Sequence, residues 1–354
     1  AFSFGHGGIM GMLLGGYYKC DNVKIDAYDI FTNKAPVGAY RAPGAPQATF
    51  ALESNIDEMI RQLGLDPLHF RLENVAEDGD MMGNGRPWPN IGFKECLQAL
   101  ADHPLWLDQT LGDNEGLGLA VGGWPTVVGT AEAVCRVDSD GTATFEVGNT
   151  DVSGNNSSYV LIAAEVLGVS PDEVRVINND TGGAYGPGSG GSQVTYSVAG
   201  AVRDATGEAK RKLLEVASDE FEADPADIEI IDGMAQVRGV PDKHIGFGKL
   251  AAKARSKRGG VGPIVGEGNS ALPENAPAVP AQHAKVQVDP DTGVVTPLAY
   301  VSTQDVGFAI NPLMVEGQMH GGMIQGLGFG LHEAMVYDEE GQLLSGSFMD
   351  YGLP

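Results

Sequence analysis

The sequence contains the stretch Ala39-Tyr-Arg-Ala-Pro-Gly-Ala-Pro-Gln47, which places a permanent positive charge, Arg41, in a turn-rich loop directly before an amphipathic helix pattern. Pro43 and Pro46 each fix their φ at about −65°, and Gly44 can adopt backbone angles that other residues avoid. Such a loop can hold a guanidinium group in a defined position. An ordinary strand-to-helix turn with a solvated arginine is the alternative that this stretch leaves open.

Length and charge limit the classes of protein to be considered. The chain has 354 residues, which exceeds the usual size of one domain, so we expect two domains with sizeable cores. Its 22 Lys and Arg residues against 47 Asp and Glu residues give a formal net charge of −25. Nucleic acids and anionic membranes attract basic surfaces, so neither is expected as a partner. The acidic residues are scattered, which indicates a solvating surface or a halotolerant source more than an acidic tail.

The contents of glycine and cysteine indicate the kind of site to expect. The 51 glycines are about twice the average share, while 42% of the residues are hydrophobic, so we expect a folded chain with backbone-lined sites. Cys20, Cys96 and Cys135 are far apart, odd in number and without Cys-x-x-Cys spacing. This pattern disfavours a disulfide framework, a zinc site and an iron-sulfur site, and it fits a reducing cytoplasm.

The two ends of the chain carry further information. The apolar run from Ile9 to Leu14 is interrupted by Gly11 and is far shorter than the roughly 20 residues that span a bilayer. No basic flank precedes it, so a signal peptide is not expected. Because the chain opens without Met and stops at Pro354 shortly after a strand-like pattern, we expect a fragment or one piece of a split subunit.

Helix and strand patterns alternate along the chain and predict an α+β fold. Alternating apolar residues predict a strand at 23–30, and apolar residues at helical spacing predict a helix at 47–63 that ends at Gly64. Asp66-Pro67 predicts the capped start of a second helix. The other predicted elements are helices at 93–100, 157–167, 199–218 and 314–335, a capped turn at 170–173, a strand at 174–177, and hairpins at 130–147, 228–237 and 284–301.

Loops and domain limits follow from the remaining segments. Residues 76–90 are rich in Gly, Asp, Asn and Pro and predict a loop. The loosely patterned residues 101–116 are the expected domain boundary, which divides the chain into 1–108 and 109–354. Residues 255–280 have several Gly and Pro residues and few periodic apolar positions, so we expect a long surface connection there.

A glycine-rich run from Gly182 to Thr195 precedes a predicted helix and offers backbone amides, hydroxyls and the Gln193 carboxamide. Backbone amides of such loops bind phosphate without a side-chain charge, so the run is a candidate site for a polyanion. It lacks the lysine of a P-loop and the strand and spacing of a dinucleotide-binding fingerprint. A flexible loop without a ligand is the alternative.

Two other segments combine predicted helices with unusual residues. Small polar groups from Asp151 to Ser158 precede a helix, and capping alone could explain them. The last predicted helix contains five glycines between Gly317 and Gly328, although each costs about 1 kcal/mol relative to alanine. Something must therefore approach that backbone closely, either another helix or a large flat cofactor whose polar contact would be Gln325.

Candidate acid, base and metal-ligating residues show no catalytic pattern. The histidines at 6, 103, 283, 320 and 332 have no ligand spacing, and we interpret them as structural or surface residues. Glu333 and Asp350 have no visible partner for an acid/base pair. The order of residues does not support a Ser/His/Asp arrangement.

Six short motifs occur along the chain. They are the Arg41 stretch, Gly190-Gly-Ser-Gln-Val-Thr195, Asp305-Val-Gly-Phe-Ala-Ile-Asn-Pro312, Val315-Glu-Gly-Gln318, Gln325-Gly-Leu-Gly328 and Gly346-Ser-Phe-Met-Asp-Tyr351. In this order they resemble the large subunit of molybdenum hydroxylases, the family of xanthine dehydrogenase, aldehyde oxidase and bacterial CO, nicotinate and aromatic-compound dehydrogenases. Each motif alone is unspecific, whereas six in family order across nearly the whole chain are highly specific.

The resemblance implies a fold, a reaction and partners. The fold is α+β, with two molybdopterin-binding domains around a cofactor cleft: 1–108 is the C-terminal part of the first domain, and 109–354 is the second, incomplete at its C-terminus. The cofactor is molybdenum on molybdopterin, in bacteria usually the cytosine dinucleotide form. The enzyme oxidises an aldehyde or an N-heteroaromatic substrate with water as the oxygen source, and electrons pass to iron-sulfur clusters and FAD on partner subunits. A second copy of the molybdopterin subunit is a further partner.

The resemblance also implies roles for individual residues. Arg41 corresponds to the family arginine beside the metal, where a permanent cation orients substrate or stabilises developing negative charge. Ser192 is also implied near the metal, and no protein side chain is implied as its ligand. Pro43 and Trp124 are the implied substrate contacts. The implied cofactor contacts are Ala42, Ser153, Gly154, Gly191, Ser192, Gln193, Thr195, Gln325 and Gly326.

Four departures from the family pattern narrow the expectation. Pro43 stands where purine-oxidising members have an aromatic residue, and the facing aromatic is replaced around Gly123 and Trp124, so a purine clamp is doubtful. Ala42 stands where CO-oxidising members carry a cysteine, which disfavours CO. Ser153 stands where the second pterin loop has glutamine or threonine. The family's upstream glycine-rich loop and its catalytic glutamate lie outside these residues, so this chain does not supply the general base.

The leading hypothesis is therefore the molybdopterin-binding part of a cytoplasmic hydroxylase that acts on an aldehyde or an N-heteroaromatic compound. The alternative is a non-catalytic acidic α+β module whose glycine-rich loops dock partner proteins. A nicotinamide dehydrogenase would need a Gly-x-Gly-x-x-Gly between a strand and a helix, and the sequence contains none in that setting.

Overall fold

Helices and strands alternate along the chain in the computed structural model, which describes residues 6–35, 38–178, 180–256 and 260–354. The helices are α1 (His6–Leu14), α2 (Ala45–Leu63), α3 (Pro67–Asn74), α4 (Phe93–Ala101), α5 (Pro104–Leu107), α6 (Asn155–Leu167), α7 (Val194–Phe221), α8 (Phe247–Ser256) and α9 (Pro312–Leu331). The strands are β1 (Glu115–Val121), β2 (Thr130–Val137), β3 (Ala143–Val147), β4 (Val174–Ile177), β5 (Ile228–Ile231), β6 (Met234–Val237), β7 (Val240–Gly246), β8 (Val265–Ala271), β9 (Val279–Val288) and β10 (Val295–Asp305). This mixture confirms the predicted α+β fold.

The chain divides into two units. The first unit comprises the residues up to Pro125 together with Ala276–Gly307 and Val315–Pro354, and the second comprises Thr126–Asn275 and Phe308–Met314. Each unit has its own hydrophobic core.

The first unit is built on an antiparallel sheet in the order β1-β9-β10. Helix α4 packs against β9 and β10 with an apolar face that includes Phe93 and Leu97. The ring of Phe93 contacts the rings of Tyr17 and Trp88 edge-on, with centroids 5.9 and 6.1 Å apart. Burial of the Tyr17 hydroxyl raises the pKa of Tyr17 to about 12. These buried rings form the centre of the first core.

A buried charged network joins α2 and α3 to the end of β1. The Arg71 side chain is fully buried, and its Nε donates to Glu53 at 2.9 Å. Glu53 also accepts from the hydroxyl of Tyr18 at 2.6 Å and from the amide of Val121 at 3.1 Å. Asp57, half exposed, accepts from Arg71 at 2.7 Å. The buried carboxylate is therefore satisfied by three donors.

The second unit contains a sheet in the order β4-β3-β2-β8 and a smaller sheet in the order β5-β6-β7. Helix α7 packs along β2 and β8. A Cβ on Gly268 of β8 would overlap the carbonyl oxygen of Ala201, and one on Gly266 would overlap that of Ala205. Glycine at these two positions lets a strand and a helix approach at backbone distance.

Two predicted segments differ in the structure. Residues 23–30 do not form a strand: the segment is irregular, and Tyr28 and Ile30 are 81% and 82% exposed. An alternating pattern stabilises a strand only where another strand pairs with its backbone, and within the described chain none pairs with this segment. The predicted connection at 255–280 was wrong as well, because it contains β8, which pairs with β2. The small residues of β8 give this strand a composition that is typical of loops.

The helices and cysteines add two observations. Within the ranges given above, no helix combines the length and the apolarity that crossing a membrane requires. Cys20, Cys96 and Cys135 are all free thiols. Burial raises the pKa of Cys96 to about 11 and the pKa of Cys135 to about 12, so neither buried thiol is activated.

Candidate functional site

The Arg41 side chain lies on helix α9 within the first unit. Its Nη2 donates to the backbone carbonyl of Gln318 at 2.7 Å and to the Gln318 side-chain oxygen at 3.0 Å. A Cβ on Gly321 or Gly322 would come within 3.4 or 3.5 Å of the guanidinium, which therefore rests directly on glycine backbone. Arg41 is exposed yet fixed by two hydrogen bonds, which favours the defined position over the ordinary turn with a solvated side chain.

The loop after Arg41 turns sharply into α2. Ala42 has a φ of 52° and Gly44 a φ of 81°, and the amide of Ala45 donates to the carbonyl of Ala42 at 2.9 Å. A left-handed alanine costs about 1–2 kcal/mol, so the surrounding contacts must hold it in place. The buried Oε1 of Gln47 at the helix start has no hydrogen-bond partner among the residues described.

Tyr40 connects this loop to the C-terminal half of α9. Its ring stacks on the ring of Phe329, with centroids 5.9 Å apart and an interplanar angle of 23°. Its hydroxyl donates to Glu333 Oε2 at 3.2 Å. Tyr351 donates to the same Glu333 oxygen at 2.7 Å. Sequence reasoning found no partner for Glu333, because its partners are 293 residues before and 18 residues after it.

The glycines of α9 leave most of their surroundings open. A Cβ on Gly317, Gly326 or Gly330 would meet no atom of the described residues within 4 Å. Gly328 differs, since it is buried and packs against Glu333 and Pro354. Tight helix packing therefore does not account for most of these glycines in the described chain, and a flat ligand remains the other explanation for them.

The two remaining predicted loops belong to the second unit. Ser153 and Gly154 precede α6 with φ values of 59° and 70°, and Gly191 and Ser192 precede α7 with φ values of 69° and 61°. The hydroxyls of Thr150 and Ser189 lie 2.8 Å apart and join the two loops. The structure thus brings the two loops together.

The glycine-rich loop is partly packed and partly open. A Cβ on Gly186 would come within 2.5 Å of the Gly148 backbone, so that half of the loop lies against the end of β3. Gln193 Nε2 donates to the carbonyl of Gly188 at 2.9 Å and closes the loop. A Cβ on Gly188 or Gly190 would meet no described atom within 4 Å. The loop is therefore anchored, and it presents backbone to the outside at its tip.

The helices that follow these three loops start in the same way. Helices α2, α6 and α7 have no side-chain cap and no acidic residue in the first turn. By contrast, the Asp66 carboxylate accepts from the His69 amide at 2.7 Å and caps α3. At α6, however, the Asp151 carboxylate of the preceding loop accepts from the Asn156 amide at 3.2 Å. The start of α7 leaves backbone amides able to bind an anion.

The predicted site residues thus divide between the units. The first unit holds Arg41, Ala42, Pro43, Trp124, Gln325 and Gly326, and the second holds Ser153, Gly154, Gly191, Ser192, Gln193 and Thr195. Tyr40 joins the Arg41 loop to Phe329 and Glu333. Trp124 pairs through its backbone with Ala278 and packs, partly buried, against the first core.

Two surface cavities lie away from the predicted site residues. One surface cavity of about 840 Å³ in the first unit is lined partly by Glu77, Lys94 and Asp305, and one of about 400 Å³ in the second unit is lined partly by Glu215 and Asp219. Neither contains a predicted site residue. Among the described residues, no group of three or more His, Cys, Asp or Glu side chains could hold a metal ion.

Two family models, both described as a molybdopterin cofactor-binding domain, match the chain at residues 3–75 and 106–354. Subunit gamma of the 6-hydroxypseudooxynicotine dehydrogenase complex of Paenarthrobacter nicotinovorans is 32% identical over 368 residues, which cover 94% of this chain and 45% of that subunit. The putative xanthine dehydrogenase molybdenum-binding subunit XdhA of Escherichia coli is 30% identical over 344 residues, which cover 92% of this chain and 46% of that subunit.

A solved structure shares the fold. The crystal structure of quinoline 2-oxidoreductase from Pseudomonas putida 86 superposes with a TM-score of 0.85 at 27% identity, and the match covers 99% of this chain and 48% of that chain. The chain spans about half the length of the relatives that it matches.

Proposed function

The chain belongs to the molybdopterin cofactor-binding family that includes xanthine dehydrogenase and related molybdenum-dependent large subunits, and on that premise we propose that it forms the cofactor-binding part of a molybdenum hydroxylase. We keep the division into 1–108, the end of a first molybdopterin-binding domain, and 109–354, a second one. The separate matches at 3–75 and 106–354 support this division.

The described residues fit such a cofactor. The uncapped start of α7 with the Gly191–Thr195 segment, together with the left-handed turn at Ser153 and Gly154, would hold its phosphates and the cytosine nucleotide. The open glycine face of α9, with Gln325 and Gly326, would receive the planar pterin. When bound, the cofactor supplies two-electron oxidation in which water provides the oxygen atom.

Arg41 is the residue of this chain that we assign to catalysis. Its guanidinium is permanently charged and held on α9 by Gln318, so it can orient a polar substrate and stabilise negative charge that develops during reaction. The general base would come from residues outside this sequence.

We further propose that the substrate is an aldehyde or an N-heteroaromatic compound. Quinoline, named in the solved relative, is an N-heteroaromatic compound. Pro43 and Trp124 would contact the substrate, and Pro43 offers no aromatic ring for a purine clamp. Ala42 has no thiol with which to bind a second metal, so CO is disfavoured as a substrate.

The partners and the location belong to the same proposal. We propose an iron-sulfur subunit and an FAD subunit as electron acceptors and a second copy of the molybdopterin subunit as a further partner. The relative named as subunit gamma of a complex supports a multi-subunit assembly. The three free thiols support a reducing cytoplasm.

The observation that carries the proposal is the match of both family models to a chain in which Arg41 rests on the glycine backbone of α9. We expect Arg41→Ala to lower turnover by about 100-fold or more, because a preorganised charge at the reacting group is lost. Molybdenum content should stay near that of the wild type. Arg61→Ala is the control, because Arg61 is an exposed arginine that pairs with Glu58. Undiminished turnover in Arg41→Ala would exclude a catalytic role for Arg41.

A further inference from the structure

The Glu333 carboxylate lies at the centre of a hydrogen-bonded group that the reaction described above does not use. Its Oε2 accepts from Tyr40 at 3.2 Å and from Tyr351 at 2.7 Å. The other oxygen faces Gly328, where a Cβ would come within 2.5 Å of it. Both tyrosine hydroxyls must donate, because a carboxylate can only accept.

This geometry determines the role of Tyr40. A tyrosine hydroxyl has one proton, and Tyr40 donates it to Glu333. The ring of Tyr40 stacks at the same time on Phe329 in α9. Glu333 and Phe329 therefore hold the two ends of one aromatic side chain.

The same group holds the Arg41 loop. Tyr40 is fixed by stacking on Phe329 and by its bond to Glu333, while its chain neighbour Arg41 is fixed by Gln318. The two anchors on α9 are 11 residues apart, or about 16 Å along the helix. Because both side chains are anchored, the backbone of Tyr40 and Arg41 has little freedom to move. This restriction helps to hold the following Ala42 in its left-handed conformation.

We propose that Glu333 is a positioning residue that, through Tyr40, fixes the Arg41 loop on α9. The inference rests on the proposed function, because it gives Arg41 its support beside the cofactor. The hydrogen bond to the Glu333 carboxylate and desolvation raise the pKa of Tyr351 to about 12, and desolvation and the same carboxylate raise the pKa of Tyr40.

The first test is a spectrophotometric titration of the tyrosines in the purified complex. In Glu333→Gln the negative charge is lost, so the pKa of both tyrosines should fall, most strongly that of Tyr351, whose raised pKa has the Glu333 bond as its largest cause. The change should disappear in the triple variant Glu333→Gln/Tyr40→Phe/Tyr351→Phe. Glu316→Gln is the control, since this carboxylate lies on α9, away from both tyrosines, and faces His320 at 4.0 Å. A titration in Glu333→Gln identical to that of the wild type would overturn the proposal.

The second test measures kcat, KM and molybdenum content in the holoenzyme. Glu333→Gln and Tyr40→Phe should each lower kcat by about tenfold, because the first removes the charge that strengthens the hydrogen bond and the second removes the bond itself. The double variant should be no worse than either single variant, since both act through one bond. Additive losses, or unchanged kcat in both single variants, would overturn the proposal. Absence of molybdenum from the wild type would instead refute the proposed function, and the titration would remain readable.

Discussion

Replacement of Arg71 by methionine is expected to destabilise the first unit strongly, because this cation is fully buried. Arg71 Nε donates to Glu53 at 2.9 Å, and Glu53 also accepts from Tyr18 and Val121. Removing the cation leaves a buried carboxylate without its counter-charge, and breaking such a pair costs roughly 3–5 kcal/mol. In a unit of this size each kcal/mol lowers Tm by roughly 2–4 °C, so the expected fall is about 6–20 °C.

The assay is thermal and urea unfolding of Arg71→Met beside the wild type and Arg61→Met. The Arg61–Glu58 pair lies on the surface, with side chains 72% and 51% exposed, so Arg61→Met should change the midpoint little. Adding Glu53→Gln to Arg71→Met removes the unpaired charge but keeps an acceptor for Val121, so the double variant should be more stable than Arg71→Met. Equal midpoints for Arg71→Met and Arg61→Met would refute this reasoning.

Two further predictions concern the second core and the pH dependence of the first unit. Gly268→Ala should destabilise the second unit by about 3 kcal/mol or more, because its Cβ overlaps the Ala201 carbonyl, whereas Gly207→Ala on α7 meets no described atom within 4 Å and should be neutral or slightly stabilising. Urea unfolding compares the two, and equal midpoints would contradict the close approach of β8 to α7. His283 is 1% exposed, its Nδ1 lies 2.9 Å from the Gly118 carbonyl oxygen, and burial lowers the pKa of His283. The unfolded chain therefore takes up the proton first as the pH falls below about 6.5, and stability is lost in that range. His283→Gln should reduce this loss in unfolding measurements between pH 7 and 5, and an unchanged pH profile would contradict the assignment.

Local signals made much of the fold predictable. Asp66 before Pro67 predicted the start of α3, and the structure contains that cap. The Asp232-Gly233 turn predicted the hairpin of β5 and β6, which pair in register. Strand β8 was missed because Gly266 and Gly268 are needed for packing against α7 and carry no apolar pattern of their own. Contacts between residues that are distant in the sequence cannot be predicted from a short segment.

The candidate site could be predicted only in part, for a related reason. The order of the six motifs along the chain predicted Arg41, Ser192 and Gln325 as site residues. The support of Arg41 by Gln318 joins residues 277 positions apart, and no periodicity or spacing indicates it. The sequence showed no partner for Glu333, because Tyr40 lies 293 residues before it and Tyr351 lies 18 residues after it. The left-handed conformations of Ala42 and Ser153 could not be predicted either, since both residue types normally avoid that conformation.

The most direct measurement is metal and pterin analysis of the active complex purified with this chain. The account predicts molybdenum in stoichiometric amount with the chain and release of a pterin on denaturation. It also predicts visible absorption from iron-sulfur and flavin partners in the same preparation. An active preparation that contains neither molybdenum nor pterin would contradict the account, and a colourless preparation without activity would favour the non-catalytic acidic binding module instead.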